Sequence, residues 1–178
     1  MGQQPRGERH DLLPRTPNRL ARRRQRARLG GQPGIRLTSP VKKSPPQRTS
    51  RCDDAPPAAL LAGIEEFNRQ EFFEQHETLE GIWITEPDAV RYLYQGILQV
   101  GVGFYHWRKG NWHGAVTKLR QGLEKLDPYR PSCMTIDVER LVLETTALKT
   151  RLELGGRDRL PPFPRPDLPR VHRTAASR

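Results

Sequence analysis

The run His76-Glu77-Thr78-Leu79-Glu80 sets an imidazole and a carboxylate four residues apart. On a helix advancing about 100° per residue, His76 and Glu80 lie about 40° apart, so they can share a ligand or a proton. Phe72, Phe73, Leu79 and Trp83 crowd the same face, with Glu77 at its edge. A carboxylate among such side chains is costly unless it finds a partner. A second stripe repeats the anomaly. Gln95, Gln99 and His106 fall within about 40° of one another at helical spacing, while Leu93, Ile97, Val100 and Phe104 cover the opposite side.

Several chemistries fit these residue types. The plainest is a satisfied buried hydrogen-bond network that fixes helix register. A second is a site for a small polar ligand lined by His76, Glu77, Glu80, Trp83, Gln95, Gln99 and His106. A third is acid–base catalysis of a hydrolase-like kind. Glu80 is then the base, its pKa raised by burial, His76 orients it, and the glutamines position substrate. In a fourth, His76, Glu80 and His106 hold a divalent metal with an open position, although H-E-x-x-E lacks the second histidine of H-E-x-x-H. No cofactor is expected, and a metal stands as the alternative. Trp83, Trp107 and Trp112 read more readily as core or helix-junction residues than as a stacking platform, and His113 as exposed.

The elements that position these residues are helices. Leu60, Leu61, Ile64 and Phe67 form an apolar stripe behind Pro56-Pro57, and Asn68-Arg69-Gln70 reads as a break. A second helix covers Glu71 to about Thr85. A third starts at Pro87 and stops at Gly110, a glycine suited to the position past a helix end. Asn111 caps a fourth, which carries Trp112, Ala115, Val116, Leu119, Leu123 and Leu126. Thr135 or Asp137 caps a fifth, ended by Gly155-Gly156. No useful alternating strand pattern occurs. The fold class is therefore all-α, a five-helix bundle, and the short link between the second and third helices makes them antiparallel neighbours.

Charge divides the chain. The total is 31 Lys+Arg against 20 Asp+Glu, a net of +11. Residues 1–57 hold 14 basic and 4 acidic residues, residues 58–160 hold 13 and 15, and residues 161–178 hold 4 and 1. The nearly neutral middle excludes a uniformly basic folded domain. The expected organisation is a disordered basic arm at 1–57, a bundle at 58–156 and an extended Pro-rich tail at 157–178. The arm reads as an inert tail, a transit segment, an over-extended start, or a polyanion contact through residues 19–29, from Arg19 to Leu29. The last makes a nucleic-acid-associated protein a further alternative. No apolar run reaches transmembrane length. Cys52 and Cys133, far apart and without a CxxC, suit two free thiols in a reducing, cytoplasmic setting, or a plastid one if the arm is a transit peptide.

Beyond this reading, the run from Phe67 to Trp83, with its FN, aromatic and HExLExxW pattern, resembles the family catalogued as domain of unknown function 309. Tyr94-Gln95-Gly96-Ile97-Leu98-Gln99-Val100 matches its second motif, and His106, Gly110-Asn111 and Gly114-Ala115 its third. Ile136-Asp137-Val138 and Leu168-Pro169-Arg170-Val171 look like its cyanobacterial and chloroplast branch. The resemblance covers roughly residues 60–171 and implies an all-helical bundle without implying a reaction. Gly101 and Gly103 stand where the family commonly has alanine, which lowers helix propensity and permits closer packing. The leading expectation is a non-enzymatic helical module that binds a small ligand or a partner.

Overall fold

A computed structural model describes residues 44–174 and is predominantly helical among them. The helices are α1 (Ala58–Asn68), α2 (Phe72–Thr85), α3 (Arg91–Arg108), α4 (Trp112–Leu126) and α5 (Val138–Gly155). A two-residue hairpin, β1 (Ser132–Cys133) and β2 (Ile136–Asp137), precedes α5. The basic run at 19–29 lies outside the described residues.

Two joints of the same design fold α1 onto α2 and α3 onto α4. At the first, Glu71 N–H donates to the Glu66 carbonyl and Gln70 N–H to that of Phe67, both at 2.9 Å. At the second, Asn111 N–H reaches His106 and Gly110 N–H reaches Trp107, again at 2.9 Å. Both are Schellman closures with one residue in the left-handed region, Gln70 at φ 63° and Gly110 at φ 75°. Glycine adopts that conformation freely and glutamine does not. Arg108 donates to the Gln70 carbonyl at 3.1 Å and so ties the first joint to α3.

Asn111 caps α4 by accepting from Gly114 N–H at 2.9 Å, and Asp137 caps α5 by accepting from Arg140 N–H at 3.0 Å. Thr135 takes no cap role and sits at φ 60° inside the hairpin turn. The third helix begins at Arg91 rather than Pro87. The Asp88 carboxylate accepts from Val90 N–H at 2.8 Å, and the carbonyls of Asp88, Ala89 and Val90 close three-residue turns before regular helix starts.

Successive helices run antiparallel, and small residues let them approach. A β-carbon on Gly103 would stand 2.7 Å from Leu119 Cγ, and one on Gly122 would stand 2.8 Å from Val100 Cγ2. Phe67, Phe72 and Phe104 lock α1, α2 and α3 with ring centroids 5.8–6.2 Å apart. Trp107 and Trp112 are junction residues, as their spacing predicts. Their indole N–H groups donate to the carbonyls of Pro161 at 2.8 Å and Leu152 at 3.0 Å.

The segment before α1 departs from the expected boundary at 57. Residues Ser50–Asp53 form a 3-10 turn, Thr49 Oγ1 donates to Asp88 at 2.9 Å, and Arg51 pairs with Glu86 at 3.0 Å. Cys52 and Cys133 are joined in a disulfide across 81 residues, so they are not free thiols. A separation of that length carries no local signal. Pairing follows only from the return of residues 50–54 to the hairpin, where Met134 N–H also donates to the Cys52 carbonyl at 2.6 Å. The segment after α5 runs extended across the bundle. Asn68 holds it by donating to the Val171 carbonyl at 3.0 Å and accepting from Val171 N–H at 2.8 Å.

Candidate functional site

Antiparallel packing of α2 on α3 brings the two polar stripes together. They line a groove of about 260 Å³ bounded by His76, Glu80 and Trp83 from α2, by Gln95, Leu98, Gln99 and Val102 from α3, and by Lys118 from α4. Its polar side chains are partly buried. This is smaller than the ~300–1,000 Å³ of sites for drug-sized ligands, and suits a small metabolite.

The groove is not a closed network. Around it, side-chain hydrogen bonds involve Gln75, Thr78, His106 and Lys118. None joins His76, Glu80, Gln95 or Gln99 to one another among the described residues. Trp83 Nε1 and Gln99 Oε1 are buried without a partner there. One is a donor only and the other an acceptor. Glu80 and Lys118 face the same space without an ion pair, and Lys118 Nζ donates instead to Gln121 Oε1 at 3.3 Å.

Two expected members behave differently. Glu77, expected at the edge of the apolar face, is exposed and outside the groove. His106 is also outside it. Its Nδ1 lies 3.2 Å from Asn111 Nδ2 at the α3–α4 joint, and its ring packs where a β-carbon on Gly114 would stand, 2.8 Å from His106 Cγ. Burial, reinforced by the Lys118 charge, lowers its pKa from the ordinary imidazole value. The metal set His76, Glu80 and His106 is therefore not assembled. Among the described residues no three His, Cys, Asp or Glu side chains stand together as metal ligands.

One member, Lys118, and one residue packed behind the groove, Gln75, were not legible in the sequence. Lys118 reads as a solvated charge on α4, and only the close α3–α4 approach brings it to the groove. Gln75 is fully buried behind the groove and donates to the Ile97 carbonyl at 3.2 Å. It occupies the space opposite Gly101, where a β-carbon would overlap its Oε1. The glycine at 101 was the available signal for that close approach.

Residues 60–117 match the family model described as Domain of unknown function (DUF309). Over these residues the chain is similar to that family. No curated protein and no solved structure matches the chain. The DUF309 match spans α1 to α3 and the start of α4, and so contains every groove residue except Lys118. It ends one residue short of it. Cys52, Cys133, α5 and the extended tail lie outside the DUF309 match. No helix among the described residues is long and apolar enough to cross a membrane.

Proposed function

We propose that the α2–α3 groove binds a small polar ligand and that the protein is a helical ligand-binding module. The observation that carries this is the pair of buried, unpartnered atoms at the groove, the Trp83 indole N–H and Gln99 Oε1. Leaving such a group unpaired costs roughly 1–3 kcal/mol each, and a ligand with one acceptor and one donor would relieve both. His76, Glu80 and Lys118 add charge and proton-transfer capacity at the open side.

Binding is favoured over catalysis by exposure. A hydrolase-like role asks for a carboxylate made basic by burial, and Glu80 is only partly buried.

The test reads the three indole N–H resonances of the full chain by heteronuclear NMR against a library of small polar compounds. Trp107 and Trp112 already donate to carbonyls, so a groove ligand should shift the Trp83 resonance selectively and saturably. Gln99→Leu should weaken that response at least tenfold. A library in which no compound moves Trp83 apart from the other two overturns the proposal.

A further inference from the structure

Arg91 opens α3 and is only 5% exposed. Among the described residues its guanidinium meets no carboxylate within ion-pair distance and makes no hydrogen bond, and its Nε is buried without a partner. Two partly exposed guanidiniums are neutralised, Arg51 by Asp54 and Glu86 and Arg130 by Asp127 and Glu139, while Arg108 at least donates to the Gln70 carbonyl. What Arg91 does touch is aromatic. Its guanidinium carbon lies 5.5 Å from the Trp83 ring centroid and 5.8 Å from that of Tyr92.

Cation–π contacts of this kind contribute up to about 2 kcal/mol when desolvated, whereas withdrawing an ion from water costs several kcal/mol. The rings do not supply the acceptor that the buried Nε lacks. Arg91 stands one helical turn before Gln95 on the stripe that faces the groove, and Trp83 is a groove wall. Arg91 does not itself line the groove, but its guanidinium packs against the ring of Trp83, which does, so a cation without a counter-ion stands directly behind the Trp83 wall.

We infer that the groove ligand is a small organic carboxylate whose charge is taken up by Arg91. The inference rests on the ligand-binding reading and adds the chemical class. A planar carboxylate matches the fork of a guanidinium, here one packed between two aromatic rings. A phosphate is the poorer fit, because Glu80 in the same groove repels a dianion more than a monoanion. The far end of the ligand should carry a hydrogen-bond donor, since Gln99 Oε1 and the Glu80 carboxylate are acceptors.

Glycolate and its neutral isostere glycolamide test this directly on the full-length protein, with inorganic phosphate as a third probe at matched ionic strength. The readout is the Trp83 indole resonance. Glycolate should bind at least tenfold more tightly than glycolamide and more tightly than phosphate. Arg91→Gln should erase the preference, and Arg91→Lys should retain part of it. The wild-type comparison needs no variant, so it decides the matter even if Arg91→Gln fails to fold. Equal binding of glycolate and glycolamide, tighter binding of phosphate, or an unchanged preference in a folded Arg91→Gln overturns the carboxylate assignment. If glycolamide binds as well as glycolate, the groove reading survives without Arg91. If neither these probes nor the neutral library moves Trp83, both readings fall.

Discussion

The pole of the bundle built on residues 48–54 and 127–139 and the groove between α2 and α3 use similar residue types in opposite ways. At the pole, Arg130 is held in a two-pronged pair by Glu139 at 2.5 and 2.6 Å, Arg51 is shared by Asp54 and Glu86, and the Tyr129 hydroxyl donates to the Ala89 carbonyl. Behind the groove wall Arg91 lacks a carboxylate, and in the groove Trp83 lacks an acceptor and Glu80 and Lys118 line the same space without an ion pair. Satisfied polar groups hold a structure together. Among the described residues, three of the six buried unpartnered side-chain atoms, those of Trp83, Arg91 and Gln99, lie at the groove or against its Trp83 wall, and the proposed ligand-binding role rests on them.

The contrast predicts different responses to perturbation. The largest concerns the pole. Replacing both Cys52 and Cys133 by serine, or reducing the bond, should remove about 4–5 kcal/mol on the loop-entropy estimate for a loop of this size. Urea melts with and without reductant measure it, and a change below about 1 kcal/mol would show that the staple contributes little. Next comes the α2–α3 contact behind the groove. Gly101→Ala should cost about 1–3 kcal/mol, as overpacking does, because the new methyl overlaps Gln75, which is fully buried. Gly81→Ala, with nothing within 4 Å of the added carbon, is the matched control and should stabilise by about 0.5–1 kcal/mol.

Carboxylate neutralisation sharpens the comparison further. Glu139→Gln should lower the melting temperature, since Arg130 loses its main partner. Glu80→Gln should leave stability within about 0.5 kcal/mol and alter ligand affinity instead. A loss of ~1–3 kcal/mol at Glu80, the cost of breaking a buried hydrogen bond, would make it part of a structural network.

The smallest effect is in pH dependence. The depressed pKa of His106 means that the unfolded chain takes up its proton first as pH falls. Folding stability should therefore decline from about pH 6.5, the ordinary histidine value, down to the folded-state value, and level off below it. Glu139 acts in a lower window. The Arg130 side-chain hydrogen bond holds its pKa below the carboxylate range, so its contribution is present above the ordinary value and lost as pH falls through the folded one. Thermal melts from pH 4 to 8 should show the upper slope vanish in His106→Gln and persist in Glu139→Gln.

Local rules reached a good deal of this. Helical periodicity, the Asn111 and Asp137 caps and the Gly110 terminus depend on residues within one or two turns, and they appear as read. The convergence of His76, Glu80, Gln95 and Gln99 was also legible, because one short link forces two polar stripes on neighbouring helices to meet. The misreadings needed distance information. His106 has the right angular position but lies nearly two turns beyond Gln99, so it reaches the joint instead of the groove. Lys118 arrives from a third helix, and the start of α3 moved because Asp88 captures the Val90 amide before the helix can begin. Cys52 and Cys133 meet only because residues 48–54 return to the hairpin.

That disulfide makes a closed covalent loop of Cys52 to Cys133, with α1 to α4 and the whole groove inside it. A cut at one peptide bond anywhere within the loop, such as the exposed stretch at Gly110-Asn111, leaves both pieces tethered. Under non-reducing conditions a singly nicked molecule would therefore migrate as an intact mass, and the two fragments would separate only after reduction.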